Sequence, residues 1–151
     1  MNIFIMRHGE ASFTTFIDKD RPLTARGEDQ ASEQGSWLVK HAIPEQVLVS
    51  PYLRAQQTYQ YMQQHFKKAI SVETWENLTP YGHAELVVDY LDTLQQDGIK
   101  NILIVSHLPL VDEIMRALGV KEEVIFHPAT IVHLEKLAQS VKLVEYKVPV
   151  V

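Results

Sequence analysis

Ile3-Phe4-Ile5-Met6-Arg7-His8-Gly9-Glu10 is the stretch that decides how this chain folds. Four apolar, strand-forming residues run without a break into an arginine, a histidine and a glycine. Burying two polar side chains at the end of a core strand costs stability unless they are paired. At the carboxyl end of a strand in an α/β sheet, the same side chains stand in the crevice where ligands bind. Gly9 permits a tight turn or a close approach of backbone to its neighbours. The stretch therefore predicts a buried strand over residues 2–6 that delivers His8 as a nucleophile and Arg7 as the start of a phosphate pocket.

The chain around it has 151 residues, which suits a single domain over 1–151 with a substantial core. Hydrophobic residues make up 46% and charged residues 22%, the balance of an ordinary globular protein. Cysteine is absent, which excludes disulfides, thiolate metal sites and a cysteine nucleophile, and fits a cytoplasmic location. No apolar run approaches the ~20 residues of a membrane span, and the N-terminus lacks a signal pattern. A formal net charge of -5 argues against a nucleic-acid partner, though not against a small cationic pocket.

Working outward, residues 11–23 lack periodicity and read as a loop in which Pro22 keeps Arg21 extended. Thr24 is placed to cap a helix running to about Lys40, with Ala31, Gly35 and Leu38 inward. Val47-Leu48-Val49 is a second buried strand, and Ser50-Pro51 after it reads as a capping hydroxyl opening a helix. Tyr52, Ala55, Tyr59, Met62 and Phe66 share one face of that helix. Arg54 falls in its first turn, where free N–H groups favour an anion. Residues 69–72 suggest a third strand, and residues 85–96 a helix with Leu86, Val87, Tyr90, Leu91 and Leu94 inward. Residues 101–107 form the clearest strand and again end in a histidine. Pro109 then opens a helix closed by Gly119, and 129–134 with 141–148 suggest a late hairpin. The alternation predicts an α/β fold in three layers, a mostly parallel central sheet with helices on both faces.

Such a sheet brings Arg7 and His8, Ser50 and Arg54, and Ser106 and His107 to one rim. Singly, each has a bland reading as a structural histidine, a solvated arginine or a helix cap; together they require three strand ends to collect cations and imidazoles by coincidence. A metal site is disfavoured because arginines repel a cation and carboxylates at ligand spacing are missing. A nucleophile elbow, a P-loop and a dinucleotide fingerprint are all absent. Forked guanidinium donors suit a phosphoryl group. The chemistry that remains is phosphoryl transfer to neutral His8, with Arg7, Arg21, Arg54 and His107 stabilising the transferring group and water hydrolysing the phosphohistidine. It needs no metal and no organic cofactor.

These residues resemble the histidine phosphatase superfamily, with its phosphoglycerate-mutase-like fold. The resemblance rests on Arg7-His8-Gly9, Arg54 after Ser50-Pro51, and Ser106-His107. Met6 to Ala11, Arg21 to Thr24, Ser50 to Thr58, Leu78-Thr79-Pro80 and Ser106 to Val111 resemble its SixA-type phosphohistidine phosphatases. It implies a nucleophile at His8 and phosphate binding by Arg7, Arg21, Arg54 and His107. One departure matters: the SixA-type pattern often has a glutamate before Leu-Thr-Pro, and here Asn77 stands there. Glu76 and Glu10 are the candidate acids, and the residues do not choose between them. The loss is severe for an ester, whose alkoxide leaves badly, and mild for phosphohistidine, whose imidazole has a pKa of about 6.5.

The short span between Leu53 and His107 leaves no room for large lid insertions and suggests a compact, open site. By resemblance, the substrate is then a phosphohistidine-bearing protein, a histidine phosphotransfer domain or phosphocarrier in a signalling or transport relay. A small-molecule phosphomonoesterase and a non-catalytic phosphate- or phosphohistidine-binding module remain as alternatives. His41, His65, His83, His127 and His133 read as helix-end, loop or surface residues, and Trp37 and Trp75 as packing; His83 and Tyr81 lie in a loop that could reach the rim.

Overall fold

A computed structural model describes residues 1–151. Its strands are β1 (Asn2–Arg7), β2 (Gln46–Val49), β3 (Ser71–Thr74), β4 (Asn101–Ser106), β5 (Ile131–Lys136) and β6 (Val141–Lys147). The helices are α1 (Ala25–Val39), α2 (Leu53–Gln63), α3 (Ala84–Gln96) and α4 (Leu110–Ala117), with single 3-10 turns at Asp18–Asp20 and Glu76–Leu78. All six strands join one sheet in the order β3-β2-β4-β1-β5-β6. The first four run parallel, and β5 and β6 extend the sheet antiparallel. No helix is long and apolar enough to cross a membrane.

Strand residues alternate between two cores, as period-two geometry demands. Ile3 and Ile5 of β1, with Ile102 and Ile104 of β4, pack against α3 and α4 through Val87, Leu91, Val111, Ile114 and Met115. Phe4 and Met6, with Leu103 and Val105, pack against α1 and α2 through Ala31, Leu38, Ala55, Tyr59 and Met62. Both sheet faces are thereby covered, which is why β1 and β4 read as unbroken apolar runs.

The order of connections places the site. The chain leaves β1 through α1 on one face, passes over β4 and enters β2; it leaves β4 through α4 on the other face and passes over β1 to β5. Neighbouring strands whose connections diverge to opposite faces open a crevice at their carboxyl ends. Here that crevice lies between β1 and β4, whose final residues Arg7 and Ser106 are register partners.

Four local expectations need correction. The third strand begins at Ser71 rather than residue 69 and lies at a solvent-exposed edge of the sheet. Helix α2 begins at Leu53, so Ser50-Pro51 precedes it instead of opening it. Leu86 is half exposed, because the apolar stripe of α3 runs through Val87, Leu91 and Leu94 and leaves Leu86 outside it. His133 lies half-buried in β5 rather than at a helix end or in a loop: its ring stacks on Phe4 at 4.4 Å and its Nε2 pairs with Asn2 Oδ1 at 2.9 Å.

Candidate active site

Arg7, His8, Arg21, Arg54 and His107 line a single cavity of about 310 Å³ at the crevice mouth. The backbone that holds His8 is tied on both sides. Its N–H donates to Ser106 O at 3.0 Å, and its carbonyl accepts from Ala129 N–H at 2.9 Å. The next residue, Gly9, donates its N–H to Thr58 Oγ1, which in turn donates to the Arg54 carbonyl, linking the turn after His8 to α2. A Cβ on Gly9 would stand 2.7 Å from the Gly27 carbonyl oxygen, and one on Gly27 only 2.1 Å from that of Glu10. Backbone meets backbone here, which only glycine allows. Thr24 holds α1 at the same junction, its hydroxyl accepting from Gly27 N–H at 3.0 Å and donating to Glu10 Oε1 at 2.8 Å.

His8 Nδ1 lies 2.7 Å from the Gly9 carbonyl oxygen. A carbonyl only accepts, so Nδ1 carries the proton and Nε2 presents its lone pair. Arg54 Nε donates to that Nε2 at 3.2 Å. Burial, with the neighbouring Arg54, Arg7 and Arg21 charges, lowers the His8 pKa to about 3 despite the opposing pull of Gly9. The imidazole is neutral at physiological pH.

His107, at the end of β4, is buried and packs 5.0 Å from the His8 ring. Its pKa falls to about 2, first through burial and then through His8, Arg54 and Arg7. Its Nε2 is 2.7 Å from Ser50 Oγ, while its Nδ1 is buried without a partner. The Ser50 hydroxyl oxygen already accepts the Tyr52 N–H, which leaves its proton free for His107 Nε2. Donation from that hydroxyl to Nε2 would put the His107 proton on the buried Nδ1. The Ser50 hydroxyl therefore serves a histidine as well as a turn.

Each guanidinium is tied by hydrogen bonds to backbone carbonyls. Arg7 Nη1 donates to the Phe126 carbonyl at 2.8 Å, and its buried Nε has no partner. Burial, then the Arg54 charge, lowers its pKa. Arg21 donates from Nε to Ser12 O and stacks its guanidinium 4.0 Å from the Phe13 ring centre. Arg54 is nearly inaccessible and lies 5.0 Å from the Tyr52 ring centre, which in turn meets His107 edge-on.

Asp18 and Tyr52 were not among the expected site residues. Asp18 accepts from Arg54 Nη1 through its carbonyl at 2.7 Å, and its carboxylate reaches Arg54 Nη2 and Arg21 Nη1, each at 3.2 Å. Partial burial opposes ionisation, but hydrogen bonds and charge from Arg21 and Arg54 prevail and hold its pKa below the ordinary range. Of the candidate acids, Glu10 lines the cavity, with Arg26 3.6 Å from its Oε2. Glu76 does not; it faces a neighbouring hollow with Tyr52 and Tyr81. Asn77 is committed elsewhere, clipping the His83 backbone through both its amide nitrogen and its oxygen. Tyr81 lines the neighbouring hollow, and His83 lies beyond it.

The model of the histidine phosphatase superfamily (branch 1) matches residues 3–86. Over 143 residues the chain is 49% identical to the phosphohistidine phosphatase SixA homolog of Haemophilus influenzae, spanning 89% of this chain and 87% of that protein. It is 42% identical over 112 residues to phosphohistidine phosphatase SixA of Escherichia coli, spanning 74% of this chain and 70% of that one. A solved structure of the protein histidine phosphatase SixA complexed with tungstate superposes with a TM-score of 0.92 at 34% identity, covering 99% of this chain and 97% of that one. An alpha-ribazole phosphatase from Shigella flexneri, at 19% identity and a TM-score of 0.71, shares the fold.

Proposed function

The chain belongs to the histidine phosphatase superfamily, and from that premise we propose that residues 1–151 form one catalytic domain that hydrolyses phosphohistidine on a protein. The observation that carries this reading is the unprotonated Nε2 of neutral His8, held by the Arg54 Nε–H inside a cavity shared with Arg7, Arg21 and His107. The relatives' names as phosphohistidine phosphatases support it, as does the tungstate held by SixA, a tetrahedral oxyanion like phosphate.

In the first step His8 Nε2 attacks phosphorus. A P–N bond to His8 forms as the substrate's P–N bond breaks, and the departing imidazole takes up a proton from solvent water. The Nδ1–H held by Gly9 O supports the positive charge that develops on the His8 ring. Arg54 turns its Nε–H from His8 to a phosphoryl oxygen; Arg7, Arg21 and His107 Nδ1–H take the remaining charge. Water then attacks the enzyme's phosphohistidine, releasing phosphate and restoring neutral His8. With Asn77 where a carboxylic acid would stand, and its amide engaged in the loop, a leaving group that protonates readily is favoured over an alkoxide.

The partner of this reading is a histidine phosphotransfer domain or phosphocarrier, and its location the cytoplasm. The test compares kcat/KM for a phosphohistidine-bearing phosphotransfer domain with that for simple phosphate esters, using His8→Ala as the control. Preference for the protein, abolished in the variant, supports the reading. Preference for an ester makes the protein a phosphomonoesterase and turns attention to Glu10. Phosphate binding without turnover makes it a binding module.

A further inference from the structure

The loop that brings Asp18 to Arg54 turns large apolar side chains outward. Phe13 is 85% exposed, Ile17 57%, and Phe16 is entirely exposed. Exposed apolar residues are common singly, but three within five positions beside a reactive pocket form a patch that calls for a partner. The loop is held where it stands: Arg21 Nε bonds Ser12 O at its start, and Arg54 bonds the Asp18 carbonyl at its end. Across the cavity, Leu108 lines both the phosphate pocket and an adjoining groove that contains the 75% exposed Ile125.

We infer that this apolar collar, centred on Phe16 and Ile17, docks the folded protein that presents the phosphohistidine, gripping apolar side chains around the modified histidine. The inference rests on the proposed function and specifies how its substrate is chosen. A cavity of about 310 Å³ accommodates a phosphoryl group and an imidazole, so no small substrate seated there covers Phe16. The phosphorus must nevertheless reach His8 Nε2, so the surface that carries it lies against the collar whatever its identity. The collar is continuous with the reaction centre through Ile17-Asp18 and through Leu108. An anionic membrane is the wrong occupant, because the chain carries a net charge of -5.

The test is a double variant, Phe16→Ser with Ile17→Ser, assayed on two substrates charged with phosphoramidate: an isolated four-helix histidine phosphotransfer domain and free phosphohistidine. Neither residue contributes to the core, so an unchanged melting temperature establishes that the variant is folded. The expected result is a roughly ten- to hundred-fold fall in kcat/KM on the domain, mostly through KM, as for loss of apolar anchors at an interface. Turnover of free phosphohistidine should be unchanged. Equal retention on both substrates overturns the inference, as does an equal fall on both, which would mean the loop acts through Asp18 and Arg54. A wild-type dimer that the variant dissolves overturns it too, since the patch would then face a second copy. Failure of the wild type on both phosphohistidine substrates, with ester hydrolysis intact, removes the proposed function and the inference with it.

Discussion

The Asp18 carboxylate lies 3.2 Å from Arg54 Nη2 and makes the same approach to Arg21 Nη1, so an internal anion bridges two of the guanidiniums that face the cavity. It stands where phosphoryl oxygens would compete for the same donors. Asp18→Asn should therefore tighten inorganic phosphate binding, by about two- to five-fold given that the carboxylate is half exposed. Calorimetric titration of wild type and variant checks this. Unchanged or weaker binding in the variant would show that Asp18 organises the arginines instead of competing for them.

His8→Ala should remove turnover while leaving phosphate binding within a few-fold of wild type. Arg54→Ala should keep the fold and lower kcat/KM by roughly two to three orders of magnitude, as for loss of a preorganised donor to the transition state. Steady-state assays with phosphate titration distinguish the two. A folded Arg54→Ala protein with wild-type rates would take Arg54 out of the reaction.

Ser50→Ala should release the tautomer of His107. With no hydroxyl at Nε2, the proton is no longer fixed on Nδ1, and kcat should fall about ten-fold with Ser50→Thr restoring most of it. Nitrogen-15 spectra should show His107 protonated at Nδ1 in the wild type and as a tautomer mixture in Ser50→Ala. An Nε2-protonated wild type would reverse the assignment.

Acid should destabilise the fold through the same two histidines. Their folded pKa values of about 3 and about 2 lie below the 6.5 of an unconstrained imidazole. Between those limits the unfolded chain binds protons that the folded chain refuses. Stability is thus complete only well above pH 6.5 and declines as pH falls, with a slope that steepens towards a limit of about 1.4 kcal/mol per unit for each histidine below about pH 5.5. Urea unfolding at pH 7, 6 and 5 should follow this slope, and His107→Gln should reduce it by roughly half. A midpoint that holds steady across that range would mean the rings accept protons in place.

Much of this architecture is legible in the sequence because burial on both faces leaves an uninterrupted signature. Ile3–Met6 and Ile102–Val105 are apolar throughout and fully buried, and each is followed by a histidine at the crevice. The superfamily resemblance drawn from Arg7-His8-Gly9, Arg54 and Ser106-His107 is borne out by the match to the superfamily and to the SixA proteins. Less visible are relationships that exist only after packing. Ser71–Thr74 carries almost no burial signal, because an edge strand is defined by its partner β2. Asp18 sits in an aperiodic stretch, and nothing local connects it to an arginine 36 positions away. Ser50-Pro51 invites a capping interpretation, while the contact that sets the hydroxyl's second role comes from β4, 57 positions on.

The interlocked backbones of Gly9 and Gly27 imply that mutational sensitivity and chemical participation need not coincide. Gly27 is not among the residues that line the cavity, yet a single added methyl would drive into the Glu10 carbonyl and lever the His8–Gly9 turn off α1. A saturation screen scored on turnover should rank Gly27 beside His8, and one scored on phosphate contacts should miss it altogether.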